Sequence, residues 1–191
     1  MSPSRRCRPV IVTLAAGLLS VATIACGDRP GTPTPIQRAG PAATTPPAAV
    51  RAVPPPAPHP VADGPCRYLP AAAVEAANGE RVIAVRISGT GPDQPQPACF
   101  FLTYHGTVQL RTWIVVATPQ VARATVDAVA PVASSDLADL PGGWSGGSQP
   151  TADGAVFAVS RQGTAVVITT NQRQTIGARQ IAGRVITALG L

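Results

Sequence analysis

The chain has no lysine, two histidines, one methionine and few aromatic residues, and no two of its four cysteines stand in CxxC spacing. Each absence removes a class of function. All fifteen basic side chains are arginine. Beyond Gly64 they are scattered singly, without a stripe or aromatic interleaving, so no surface that tracks phosphates is evident and no nucleic-acid partner is expected. The formal charge of +6 divides into +3 from Arg5, Arg6 and Arg8, +1 over the stretch to Gly64, and +2 over the rest. Of the histidines, His59 lies in a proline-rich stretch and His105 in an expected turn. One histidine with two distant cysteines is too little for a tetrahedral zinc site. Asp136, Asp139 and Asp153 lack the alternating spacing of a calcium loop. No metal and no cofactor are expected. A long apolar run is also missing. The longest, Val10 to Ala25, is about 16 residues, roughly 24 Å as a helix, against the ~20 residues that a membrane span needs.

That short run follows three arginines and ends Thr23-Ile24-Ala25-Cys26-Gly27. It suits the apolar core of a signal peptide over residues 1–25. The end resembles the lipobox of bacterial lipoproteins, although Thr23 stands where leucine is usual. Cys26 would then carry a diacylglyceryl group and become the new N-terminus. Two acyl chains, at about 0.8 kcal/mol per buried methylene, hold a soluble domain on a membrane. The expected address is the extracytoplasmic face of the cell membrane, lipid-anchored. The alternatives are a secreted protein cleaved near Ala25 and an uncleaved anchor helix. Residues 26–65 read as the lipidated cysteine and a disordered Pro/Ala/Thr-rich spacer. Its prolines withhold backbone donors and favour extended chain, with a reach of up to ~100 Å.

Cys7 leaves with the signal and Cys26 takes the lipid, so Cys66 and Cys99 remain. In an exported domain the simplest reading pairs them. Two free thiols or a redox pair form the competing reading, although no CxxC spacing supports the latter.

Residues 66–191 are long enough for one compact domain. A helix is expected over 70–78, with Pro70 in its first turn and Asn78-Gly79 ending it. Strand patterns follow over 81–88, 98–104 and 107–117, with His105-Gly106 as a hairpin turn. Thr118 is a candidate cap for a helix over 119–129 with Pro119 at its first position. Residues 134–154 read as a glycine-bearing loop. A second hairpin spans 155–160 and 164–170, and the chain closes with a helix over 175–189. The order α-β-β-β-α-β-β-α implies an α+β fold: a single domain, an antiparallel sheet and helices packed on one face.

Several short strings stand together in this stretch: Cys66-Arg67-Tyr68-Leu69, Asn78-Gly79-Glu80-Arg81-Val82, Pro97-Ala98-Cys99-Phe100, Gly143-Trp144-Ser145-Gly146-Gly147 and Thr170-Asn171-Gln172. In this combination the chain resembles the exported lipoproteins of actinobacteria built on a domain of unknown function. An arginine-only basic set with abundant Ala, Pro, Gly and Val agrees with the GC-rich genome of such an organism. The resemblance covers nearly all of 66–191. It implies a cell-envelope domain with a disulfide at Cys66 and Cys99, and it implies no activity.

Gly143 to Gly147 also fits GxSxG, the nucleophile elbow of serine hydrolases, which needs Ser145 on a strand-to-helix turn with an acid and a histidine in reach. Here the string falls in a loop with no helix after it. A glycine-rich loop anchored by Trp144 is the favoured reading. Phe100 and Phe101 point to opposite faces of one strand, so one of them needs a cover. A covering helix and a lipid or partner groove both satisfy that need. Asn171 and Gln172 read as cap and turn, or else, with Trp144, as a polar binding surface. The expected function is non-catalytic binding of an envelope protein, glycan or glycolipid outside the membrane. The alternatives are a lipid or glycolipid carrier with an apolar groove, and a serine hydrolase using Ser145.

Overall fold

In a computed structural model, residues 51–89 and 97–191 are described; the signal segment and Cys26 lie outside the described residues. The elements run β1 (Ala62–Asp63), α1 (Ala71–Asn78), β2 (Ala84–Ile87), β3 (Ala98–Leu102), β4 (Val108–Val116), α2 (Pro119–Val129), β5 (Asp136–Leu140), β6 (Trp144–Thr151), β7 (Gly154–Arg161), β8 (Thr164–Thr170) and α3 (Thr175–Ala188). The strands form one antiparallel sheet in the order β1-β2-β3-β4-β8-β7-β6-β5. Two meanders, β1 to β4 and β5 to β8, are therefore joined where β4 pairs with β8. Helix α2 makes the crossover that carries the chain from the middle of the sheet to its far edge. The α+β class, the single domain and the antiparallel sheet stand as the sequence implied.

The helices do not share one face. Residues alternate along β3, β4, β7 and β8 between two separate cores. Phe101, Leu110, Ile114, Phe157, Val159, Val166 and Ile168 pack with Val74 of α1 and with Ala178, Ile181 and Val185 of α3. Phe100, Trp113, Val115, Val156, Ala158, Ala165 and Val167 pack on the other side with Ala122 and Val126 of α2. The reason lies in the central strands. Ala155 to Val159 and Ala165 to Ile168 are buried without a break, the pattern of strands covered on both faces. A one-faced arrangement would leave half of these side chains in water.

The stretch 134–154, expected as a loop, is instead the hairpin of β5 and β6, closed by Pro141-Gly142-Gly143. Both glycines adopt positive φ, at 87° and 83°. Its sequence hides the strand because Trp144-Ser-Gly-Gly-Ser-Gln-Pro-Thr151 has no apolar alternation. The glycines serve contact: a Cβ on Gly147 would stand 2.8 Å from the carbonyl oxygen of Ala130, at the end of α2. Pro150 is tolerated because β5 stops pairing at Ser148, so the chain beyond it is a sheet edge. The strand β1 lies within the stretch that composition gives to the spacer. Val61 donates its N–H to Ile87 O (2.9 Å), and Gly64 donates to Val85 O (3.1 Å). Two residues are too few to show a strand pattern.

Thr118 caps α2, its side chain accepting from Val121 N at 3.3 Å, and Pro119 opens the helix. Gly79 ends α1 in the left-handed region at φ 70°. Cys66 and Cys99 are bridged, with Cα atoms 5.8 Å apart and a sequence separation of 33. The bridge ties the chain entering α1 to β3, on the face that α1 and α3 cover. Replacing both cysteines by alanine is expected to lower unfolding stability by about 3–4 kcal/mol, the loop-closure value for this length. A lowered urea midpoint, with a slope that rises as the uncrosslinked unfolded chain exposes more surface, is the measurement that checks it.

Candidate functional site

The sequence strings fall into two groups once the chain is folded. Asn78-Gly79-Glu80-Arg81 and Thr170-Asn171-Gln172, about ninety residues apart, meet at one end of the sheet. Asn78 Nδ2 donates to Gln109 O (3.1 Å) and to Gln109 Oε1 (3.3 Å), and Thr170 Oγ1 donates to Asn78 Oδ1 (3.1 Å). Gln109 Nε2 in turn donates to Arg81 O (3.0 Å), and Asn171 Nδ2 to Glu80 Oε2 (2.9 Å). Gln109 is fully buried. It reaches this cluster because the β3–β4 ladder shifts there, with Phe101 opposite Leu110 and Leu102 opposite Val108. The extra residue turns a polar side chain toward α1. These amides and hydroxyls serve one another, as buried polar groups must. Asn171 and Gln172 thus act as a clasp between the α1–β2 and β8–α3 turns, with Gln172 Nε2 donating to Asn171 Oδ1 (3.1 Å).

Trp144 is not part of that cluster. It starts β6, whereas Asn171 abuts Gly154, next to the far end of the same strand. The side chain is 2 % exposed and packs in the core beneath α3. The Arg161 guanidinium lies 5.0 Å from its ring centroid and donates to Gly142 O (3.3 Å), closing the β5–β6 turn over the indole. Ser145 is exposed in mid-strand between Asp139 and Ser160. No helix follows it, and His105 lies in the β3–β4 turn at the opposite end of the sheet, with β8 and β7 between. The geometry of a nucleophile elbow is absent here. Among the described residues, no three His, Cys, Asp or Glu side chains converge as metal ligands.

Sequence reasoning missed a cleft of about 740 Å³ between the start of α1, the second half of α3 and the β5–β6 turn. Leu69, Ala73, Leu140, Pro141 and Ile186 make its walls, and Gln180, Gly183, Arg184 and Thr187 of α3 line the remaining side. The glycines of α3 separate cleanly by role. A Cβ on Gly177 would come 2.9 Å from Ala77 O, so this glycine lets α1 and α3 approach closely. A Cβ on Gly183 would meet nothing within 4 Å. Gly183 costs its helix about 1 kcal/mol relative to alanine, with no packing reason inside the fold. Its effect is to keep one wall of the cleft low. A mid-helix glycine was the available signal, but only the helix packing tells the two apart.

Tyr68 forms the inner end of this cleft. Its hydroxyl shares a hydrogen bond with Thr112 Oγ1 at 2.8 Å, and Thr112 Oγ1 also accepts from Cys99 N (3.2 Å). Burial pushes the phenol from 10.0 up to about 12, and the Thr112 bond offsets part of that rise. The unfolded chain loses this proton first. Its contribution is therefore complete below pH 10 and is lost as pH climbs through 12, by up to about 2–3 kcal/mol. Denaturant midpoints measured between pH 9 and pH 12 should fall in the native chain and fall less steeply in Tyr68→Phe.

A search of the curated proteins returned no match. Over residues 48–191, a span that takes in β1 and both cysteines of the bridge, the chain matches the family model described as Domain of unknown function (DUF2020), and it belongs to that family.

Proposed function

We propose that this is a non-catalytic binding domain, held by a lipid on Cys26 to the outer face of an actinobacterial cell membrane. In this reading the cleft beside α3 takes the apolar part of an envelope lipid or glycolipid. The observation that carries it is Gly183. A helix gives up stability at a position where nothing in the fold needs the space, and that space opens into an apolar cleft. The volume lies inside the ~300–1,000 Å³ range of ligand sites. Apolar walls with Arg184 and Gln180 on the α3 side suit an amphiphile whose polar end stays near water. The anchor rests on sequence: three arginines, a short apolar run and a cysteine among small residues.

Two measurements test the two halves separately. Intact mass of the membrane-extracted protein is expected to correspond to a chain starting at Cys26 with added acyl groups, and to rise by two hydrogens on reduction. A mature chain without acyl mass overturns the anchor and makes the protein a secreted one. For the cleft, organic extraction of purified protein is expected to release lipid from the native chain and much less from Gly183→Trp, which fills the open wall. Gly183→Ala should raise stability by about 0.5–1 kcal/mol, which separates the helix effect from the cleft effect. Equal lipid from native and Gly183→Trp protein, or none from either, overturns the carrier reading.

A further inference from the structure

On the face of the sheet opposite the cleft, β4 presents Arg111 between Phe100 of β3 and Thr169 of β8, its cross-strand neighbours. Helix α2 lies over β6, β7 and β8 and leaves this part of the face to a hollow of about 250 Å³. Phe100, Val108, Arg111, Asp153, Thr169 and Asn171 line it. Arg111 Nη2 donates to Thr169 Oγ1 at 3.2 Å, and Arg111 Nε is buried without an acceptor. Among the described residues no carboxylate lies at ion-pair distance from this guanidinium. Burial pushes its pKa below the ordinary arginine value. A half-buried guanidinium whose Nε is out of water and without an acceptor is costly unless a counter-charge meets it.

Asp153 supplies an opposite charge within the same hollow without closing on Arg111. It is exposed, on the turn between β6 and β7. Thr169 Oγ1 accepts from Arg111, so its own proton stays available to an acceptor. The hollow thus offers a cation with a hydroxyl donor and, from Asp153, a carboxylate, while Phe100 and Val108 supply an apolar wall. The volume is below that of a drug-sized site, which limits the occupant to amino-acid or dipeptide size.

We propose that this hollow binds a small zwitterion, an α-amino acid or short peptide, with its carboxylate on Arg111 and Thr169 and its ammonium facing Asp153. The site is separate from the lipid cleft and stands whether or not that cleft holds a lipid.

The test uses alanine, which carries both charges, and propionate, which lacks the ammonium, titrated into the full chain and followed by the NMR amide signals of Arg111 and Thr169. Saturable shifts are expected with both, and tighter binding of alanine. Asp153→Asn should reverse that preference, weakening alanine and tightening propionate, each by about two- to fivefold. Arg111→Gln should abolish both. Absence of saturation with alanine, or unchanged affinities in Asp153→Asn, overturns the proposal. The exposed position of Asp153 keeps the test decisive even if Arg111→Gln does not fold.

Discussion

The pairing of β4 with β8 is the constraint on which the rest of the structure depends. Its register runs from Leu110 opposite Thr170 to Val116 opposite Thr164, and among the described residues it is the only strand pairing that joins the two meanders. Its residue pairs alternate between the two faces of the sheet, and the central ones face one core or the other. Ile114 and Val166 look toward α3, whereas Trp113 and Val167 look toward α2. A slip of one residue would exchange the two faces and bring polar groups under the helices. The two cores, and the sites beside them, are therefore set by one ladder.

Two further devices fasten this seam, both near its Leu110–Thr170 end. The disulfide pins the entry to α1 onto β3, and Tyr68, two residues on from Cys66, sends its hydroxyl to Thr112 in β4. At the end of the ladder, the Asn78–Gln109–Thr170 cluster links α1, β4 and β8 in one hydrogen-bonded group. A side-chain network of this kind is worth having only when every member is satisfied. Here the satisfaction depends on the bulge that turns Gln109 inward. The short sequence strings that look like recognition motifs are thereby explained as fastenings. The glycines around Trp144 belong to the same group, since they admit the end of α2 and the tight β5–β6 turn.

The proposed binding sites fall where the helices do not reach. α1 and α3 converge on one face but leave their outer junction open beside Leu140. α2 covers the β6–β8 part of the other face and leaves Arg111 beyond its reach. An eight-stranded sheet is broad for three short helices, and its uncovered margins are the natural place for ligands. One margin is apolar and the other charged, which fits them to different chemistries.

Much of the fold was legible in the sequence. Thr118-Pro119 marks a helix start through capping chemistry that works locally, and Asn78-Gly79 marks a helix end by the left-handed conformation that glycine permits. The alternation in β3 and β4, the hairpin at His105-Gly106 and the pairing of Cys66 with Cys99 were also readable. What escaped were elements made by their neighbours. β6 has no apolar alternation and exists because β5 and β7 flank it, and β1 is two residues borrowed by the edge of β2. The cleft and the Arg111 hollow escaped for a related reason. Gly183 looks like Gly177 in the sequence, and Arg111 looks like any singly placed arginine, until packing gives one glycine a neighbour and buries the Nε of one guanidinium without an acceptor. The sequence by itself determined the signals that act over a few residues: caps, turns, strand alternation and the cysteines available to pair. Only the tertiary structure decided which faces are covered and which side chains lose their water, because burial is a property of what packs against a residue and not of the residue itself.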